Sequence, residues 1–328
     1  MINEKKGSIL YILKILQNHS DENHPLTYEN IIDKLYHGYG IEIERKTVAR
    51  DISILQEFGY DIVKKGNRGL FLGFRDFEEG EILYLIDAIY SSRFMPTKYA
   101  NDLVERLTKN ISIHKRKKFK YLEKIDDGVR TDNKEIFLTI ELLNEAIEKG
   151  KKVEFQYGAY GTDKKLKLKG DGRVYKINPY FMVNNKGKYY LVCNYDKYED
   201  ISNYKIDCIS NLKITDEDVK PIKSLPNHEN FSVKDYIKEN IYMVFGNSVK
   251  AYIKIKSEDK VNDFVDWFGK DVSFEKVDGE LIASLKVNEE SLIFWALQYG
   301  QYVEVLKPTS TRNKIKEILK SMMTAYEK

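Results

Sequence analysis

The stretch from Arg45 to Gly73 constrains this chain most. Set at 100° per residue, Val48, Ile52 and Leu55 fall on one side of a helix over Arg45–Phe58. Lys46, Arg50, Ser53 and Glu57 fall on the other side. One face is able to bury, and the opposite face is basic near its N-terminus, where a helix lying in the major groove carries its base and phosphate contacts. Gly59 supplies a helix stop. A hairpin follows, Asp61–Lys65 and Leu70–Leu72 around the turn Gly66–Gly69, with Lys64, Lys65, Asn67 and Arg68 at its tip. Between Arg45 and Arg75 seven Lys/Arg stand against three Asp/Glu, a net of +4. An ordinary solvated helix and hairpin would show the same amphipathicity. The order of helix and basic hairpin, with two helices upstream, points instead to a winged helix-turn-helix on double-stranded DNA. The expected contacts are Arg45, Lys46, Thr47, Arg50 and Ser53 from the helix, and Lys64, Lys65, Asn67 and Arg68 from the wing.

The upstream helices are legible. Ile9, Ile12, Leu13 and Leu16 recur at helical spacing with Ser8 as the expected N-cap, and Thr27 caps a second helix carrying Ile31, Ile32 and Leu35. Residues 1–75 thus make one DNA-binding module. A helical linker over 76–149 follows, built from Phe77–Ser92, a helix restarting at Pro96 and Thr97, and Asn133–Lys149, closed by Gly150. The run His114–Lys120 reads as a solvated face more than as a nucleic-acid contact.

From Lys151 the period changes to two, as in Val153–Tyr157, Lys164–Lys169, Tyr175–Val183, Lys188–Cys193, Ser202–Ile209 and Leu212–Ile214. Pro179 marks the third of these as an edge strand or a bend. Short strands at this density predict a small barrel over 150–220, followed by a linker over 221–247 containing Pro221 and Pro226. Residues 248–328 read β-α-β-β-α-β-α, a ferredoxin-like order with an added helix. The fold class expected is therefore α+β and multidomain.

Composition narrows the function. With 328 residues, 42% hydrophobic and 32% charged, the chain supports several cores. A net charge of +3 requires any nucleic-acid contact to be local. No run of about 18 apolar residues and no apolar leader stretch is present, so no membrane partner is expected, and a cytoplasmic location is. The two cysteines, Cys193 and Cys208, make neither a zinc quartet nor a disulfide scaffold. The histidines at 19, 24, 37, 114 and 228 lack ligand spacing. Phosphate-binding loop, His-Glu-x-x-His and Gly-x-Ser-x-Gly motifs are missing. No catalytic residue, metal or cofactor is expected, and the chain does not read as an enzyme.

Three segments together carry a family resemblance: Asn178–Tyr180, Lys188–Val192 and Tyr204–Ile209. In order and spacing they resemble the WYL domain, named for a Trp-Tyr-Leu tripeptide whose place Tyr189, Tyr190 and Leu191 take here. Ala296–Gly300, Val303–Leu306, Pro308 and the last helix resemble the WCX extension found after that domain. The resemblance covers nearly the whole chain. It implies an Sm-like barrel and a bacterial transcriptional regulator, with repression as its expected mode. Its WYL domain would sense a small anionic, nucleotide or nucleic-acid effector, and it would bind DNA as a homodimer. Candidate ligand residues are Tyr157, Lys176, Tyr180, Tyr189, Ser202, Tyr204, Lys205 and Cys208. Of three positions that are usually basic in the family, held here by Ser202, Lys205 and Cys208, only Lys205 remains basic, which either removes anion binding or shifts it to Lys176, Arg173 or Lys188. The barrel tyrosines either stack bases or pack the core; Tyr190 is expected in the core, and Tyr189 fits both. The alternative reading is an accessory protein that binds single-stranded nucleic acid or a protein partner through the barrel.

Overall fold

The computed structural model describes residues 7–109, 111–117, 130, 131 and 133–327, and they form two compact units, 1–131 and 132–328. The fold mixes helices with antiparallel sheets.

The first unit opens with α1 (Ser8–His19), α2 (Tyr28–Tyr39) and α3 (Arg45–Glu57), then β1 (Ile62–Lys64) and β2 (Leu70–Leu72). Ile12, Leu16, Ile31, Leu35, Val48 and Ile52 pack into one apolar core, as their spacing predicts. Thr27 caps α2 as expected: its hydroxyl accepts from Asn30 N while the Asn30 side chain accepts from Thr27 N. Ser8 does not cap α1. It lies inside the helix, buried, and its hydroxyl donates to Asp51 Oδ2 at 2.5 Å. α3 ends in a Schellman pattern, Tyr60 N to Leu55 O and Gly59 N to Gln56 O, made possible by Gly59 at φ +95°.

β1 and β2 pair Ile62 with Leu72 and Lys64 with Leu70, and the tip Gly66–Arg68 closes as a single 3-10 turn. Leu26 adds a bridge, exchanging two 2.7 Å backbone bonds with Leu70. That close approach explains Gly69, at φ +123°, where a Cβ would stand 2.4 Å from Leu26 O.

α4 (Glu79–Ser91), α5 (Thr97–Thr108) and α6 (Ile113–Arg116) complete the unit, with Ile82, Ile86 and Ile111 in a small core. The described part of the basic run is not a free face. Lys115 pairs with Glu79 at 3.2 Å, and Arg116 donates to Asn18 Oδ1 and Ile111 O, each at 3.0 Å. Residues 118–120 of that run lie outside the described residues.

The second unit begins with α7 (Ile136–Lys149), stopped by Gly150 at φ +61°. α7, expected within a helical linker, packs on the following sheet and buries Ile136, Thr139, Leu143 and Ala146. The sheet comprises β3 (Lys151–Tyr160), β4 (Leu166–Leu168), β5 (Val174–Asn185), β6 (Lys188–Tyr195), β7 (Ile201–Lys205) and β8 (Ile209–Asp218). β5, β6 and β7 follow β3 on one side, β4 extends that side, and β8 pairs with β3 on the other. Pro179 marks a bend, one of its two expected readings: the register of β5 against β6 shifts between Pro179 and Phe181, and the pairing of β5 with β3 has ended at Ile177. One expectation changes here. The single strand expected over Ser202–Ile209 breaks into β7, a 3-10 turn Ile206–Cys208 and β8. A flat sheet would hold β7 and β8 roughly 19 Å apart, whereas a three-residue link reaches at most about 14 Å, so the sheet must curl.

β9 (Ser248–Ile255), α9 (Val261–Phe268), β10 (Ser273–Val277), β11 (Glu280–Asn288), α10 (Glu289–Gln298), β12 (Val303–Lys307) and α11 (Thr309–Tyr326) form the C-terminal part, after a short α8 (Val233–Glu239). The strand order β10-β11-β9-β12, all antiparallel, is that of the β-α-β-β-α-β arrangement read from sequence. Phe264 and Trp295, fully buried with rings 4.9 Å apart, sit at the centre of its core. No described helix is long and apolar enough to cross a membrane.

Replacing Gly69 by Ala is expected to break the Leu26–Leu70 bridge and to destabilise the first unit by about 2 kcal/mol or more. Hydrogen exchange at Leu26 and Leu70 N–H is the check; unchanged protection in the variant would refute the account.

Candidate nucleic-acid interface and barrel site

α3 splits as its sequence predicts. Val48, Ile52 and Leu55 are buried, while Arg45, Lys46, Arg50, Ser53 and Glu57 are exposed and Thr47 is half-buried. Asp51, a charged residue that periodicity does not place inside, is buried on the same helix. Its Oδ2 accepts from Ser8, and its Oδ1 accepts from Arg50 Nη2 at 3.1 Å and from Arg50 Nε at 3.4 Å. Asp51 thereby holds the Arg50 guanidinium while leaving it mostly in solvent. Arg45 stands over the Tyr28 ring at 5.4 Å, and no side chain caps the start of α3. On the hairpin, Lys64, Asn67 and Arg68 are exposed. Lys65 is engaged elsewhere: its Nζ donates to Glu22 O at 2.8 Å and lies 3.8 Å from the Glu22 carboxylate. Arg75, one of the seven cations of the stretch, turns inward, donating to Gln17 O at 2.8 Å and Ser20 O at 2.7 Å. Burial lowers its pKa.

Behind this surface lies a polar junction not visible in sequence. Asp21 is buried; burial works against its carboxylate, but bonds from Ser112 Oγ, the His24 ring and Asn23 N outweigh that and hold its pKa at about 2. His24 stacks on His114 with ring centroids 3.8 Å apart. Burial and the neighbouring His24 lower the His114 pKa. Only the fold brings these histidines together, from 90 positions apart. Among the described residues no group of three or more His, Cys, Asp or Glu is placed to hold a metal ion.

The expected ligand residues of the second unit divide between faces. Tyr157 and Tyr204 meet at 4.9 Å in a ring cluster with Phe155, Tyr175 and Tyr195. Tyr157 Oη accepts from Lys205 N at 3.2 Å, tying β3 to the end of β7. Burial raises the pKa of both Tyr157 and Tyr204. Cys208 lies beside Tyr157; burial, reinforced by Asp207, pushes its thiol up to about 11, which disfavours the reactive thiolate. Ser202 shares the Tyr204 side of β7, whereas the alternation of the strand turns the Lys205 side chain to the opposite face, across from Tyr190. Lys176 is paired with Glu217 at 2.5 Å and Glu154 at 3.2 Å, on the face of β5 away from the Tyr175 ring. Tyr180 donates its hydroxyl to Lys220 O at 3.0 Å. Tyr189 is half-buried opposite Asn184, and Tyr190 is core, packed with Val183, Val192 and Ile201. Of the cations named as substitutes, Arg173 alone reaches the ring cluster, 5.2 Å over Tyr175 and 2.8 Å from Tyr195 Oη.

Comparison with known proteins agrees with this arrangement of parts. The WYL domain matches residues 139–214 and the WCX domain residues 247–323. The chain is 22% identical over 309 residues to "Uncharacterized HTH-type transcriptional regulator YobV" of Bacillus subtilis, covering 87% of this chain and 91% of the relative. Two solved structures are similar at low scores. Proteasome accessory factor B/C (PafBC) of Arthrobacter aurescens has 13% identity and TM-score 0.28, and a CRISPR Cas-related protein has 16% identity and TM-score 0.40. They match over 98% and 99% of this chain, which spans 49% of the first structure's length and 84% of the second's. At these TM-scores neither likeness decides anything about the fold. The chain carries a WYL domain followed by a WCX domain, and the relative it resembles along most of its length is described as an HTH-type transcriptional regulator.

Asp21→Asn is expected to destabilise the first unit by about 1–3 kcal/mol, because a buried network then loses its charged acceptor. The Asp21 carboxyl is held below its ordinary value, so its contribution is complete above about pH 4 and is lost as pH falls through about 2. Thermal unfolding of wild type and variant across that window tests this; a gap that stays constant down to pH 2 would contradict the assignment.

Proposed function

We propose that this protein is a sequence-specific DNA-binding transcriptional regulator that reads DNA with α3 and the β1–β2 hairpin as a winged helix-turn-helix. The single observation that carries the reading is the division of α3. A face of Val48, Ile52 and Leu55 is locked into the core, and the exposed face offers Lys46 and an Arg50 held by buried Asp51, with Lys64, Asn67 and Arg68 exposed on the hairpin. In this reading Arg50 and Lys46 reach base edges in the major groove. Arg45, Thr47 and Ser53 assist around the start and middle of the helix, and the wing residues sit on the phosphate backbone. Lys65, bonded to Glu22, serves the wing's shape more than its contact with DNA.

The remaining parts follow as proposals. Residues 1–75 are the DNA-binding domain and 76–149 the linker, whose last helix also roofs the sheet. Residues 150–220 form an Sm-like WYL barrel that senses an effector, 221–247 a second linker, and 248–328 the WCX-like domain. The curl forced by the β7–β8 turn and the Tyr157 bond across it support the barrel assignment. A module of this size grips few phosphates, so the working form is a homodimer on a near-palindromic site. Effector binding and DNA binding alter each other's affinity by the same factor. The chain acts through binding and not catalysis.

The test is fluorescence anisotropy of the full chain on duplex DNA from upstream of its own coding region, against a scrambled duplex, over a salt series. Specific binding with a steep salt slope is expected. Arg50→Ala should cost about 1–3 kcal/mol and relax specificity, while Arg68→Ala should weaken all sequences alike and reduce the salt slope by about one. Equal, weak binding of both duplexes, unchanged by Arg50→Ala, would instead favour the accessory-protein reading. A reporter under the same upstream DNA decides the mode: repression predicts higher expression when the chain is removed.

A further inference from the structure

Ser202 and Tyr204 open onto a groove of about 580 Å³ beside β7. Its apolar surface comes from Tyr198, Tyr204, Met243 and Phe245, and its charge from the carboxylates of Glu199 and Asp200. Ser202 and Asn203 supply the remaining polar atoms. Among the described residues lining it there is no lysine, arginine or histidine. At its border the His228 ring lies 3.6 Å from Asp200 Oδ1, and Lys197 Nζ lies 5.8 Å from the Tyr198 ring centroid. Ser202, on the Tyr204 side of β7, is uncharged, and Lys205 faces the other way. Two aromatic rings stand largely exposed at the rim, Tyr198 at 55% and Phe245 at 67%. Beneath them Met243 is buried in a left-handed conformation, φ +53°, with its carbonyl accepting from Asn203 Nδ2. Exposed rings around a concave floor are costly in water and mark a surface that something covers.

We propose that this groove binds an organic cation with an apolar body, and that this ligand class is the effector of the WYL domain. The positive centre lies against Glu199 and Asp200, and the apolar body on Tyr198, Tyr204 and Phe245, where ring faces and carboxylates attract the same charge. A phosphate would meet two carboxylates and no donor cation. The consequence for the rest of the unit runs through Tyr204. Its ring lies 5.2 Å from Phe155 and 4.9 Å from Tyr157, whose hydroxyl bonds the β7 backbone at Lys205. A ligand seated on Tyr204 therefore presses on the contact that closes the sheet. The effector role rests on the regulator reading above; binding in the groove does not.

The experiment titrates the full chain, without DNA, with berberine, a planar aromatic quaternary ammonium ion whose fluorescence rises on enclosure, and then adds excess AMP as competitor. Saturable binding is expected, undisturbed by AMP, and weakened about tenfold in the double variant Glu199→Gln, Asp200→Asn. Phe245→Ala, at an exposed position, should weaken it severalfold and serves as the test if the double variant does not fold. Absence of binding, equal affinity in the variants, or displacement by AMP would each overturn the proposal. DNA binding of the same preparation separates the two readings. A chain that binds its upstream duplex but not berberine loses only the groove proposal. A chain that binds berberine through Glu199 and Asp200 but no duplex keeps the groove and loses the regulator.

Discussion

The C-terminal end of α1 is the constraint on which the first unit depends. A helix ends with carbonyls that have no partner of their own, and when such an end is buried they must be satisfied by groups from elsewhere. Here Ser20 Oγ donates to Leu16 O, and Arg75 donates to Gln17 O and Ser20 O. The same Ser20 hydroxyl accepts from Leu72 N, so the end of the wing hairpin is fastened to the end of α1. One residue further, Asp21 gathers Ser112 and His24, and Arg116 reaches back to Asn18. The hairpin, the end of α1 and α6 are thus held to one polar joint, and a disturbance of that joint would reach the hairpin proposed to touch DNA.

The second unit uses aromatic packing for the same purpose. The link between β7 and β8 is too short for a flat sheet, and the curl it imposes leaves an interior that large rings fill. Phe155, Tyr157, Tyr175 and Tyr204 come from three strands and meet edge to face or stacked within 6.5 Å. Tyr157 is the member with a second duty, since its hydroxyl also meets the backbone at Lys205. Positive charge is kept to the outside of this arrangement: Lys176 pairs with Glu154 and Glu217, and Arg173 rests on the rings at their rim. The groove beside Tyr204 is accordingly aromatic and acidic.

Much of this was legible before any coordinates. The inward positions of α3, the Thr27 cap, the hairpin tip at Gly66–Gly69 and the β-α-β-β-α-β order all follow from periodicity and turn chemistry, which are local properties. The errors share one cause. Ser8 has the side chain of a cap, yet a buried carboxylate 43 positions away makes a better partner. Lys176 has the charge a phosphate site wants, yet two glutamates from other strands had already claimed it.

By itself the sequence determined most of the helices and strands, which face of each is apolar, and the order of modules that resembles the WYL family. These depend on neighbours within a turn or two, and a single chain displays them directly. Only the tertiary structure decided which polar side chains remain available: Arg50 held outward on Asp51, Lys65 and Arg75 drawn inward, Lys205 turned from Tyr204, and Glu199 and Asp200 brought beside Tyr198 and Phe245. The reason is physical. A buried charge or donor must find a partner wherever the fold offers one, and distance along the chain places no limit on where that partner lies.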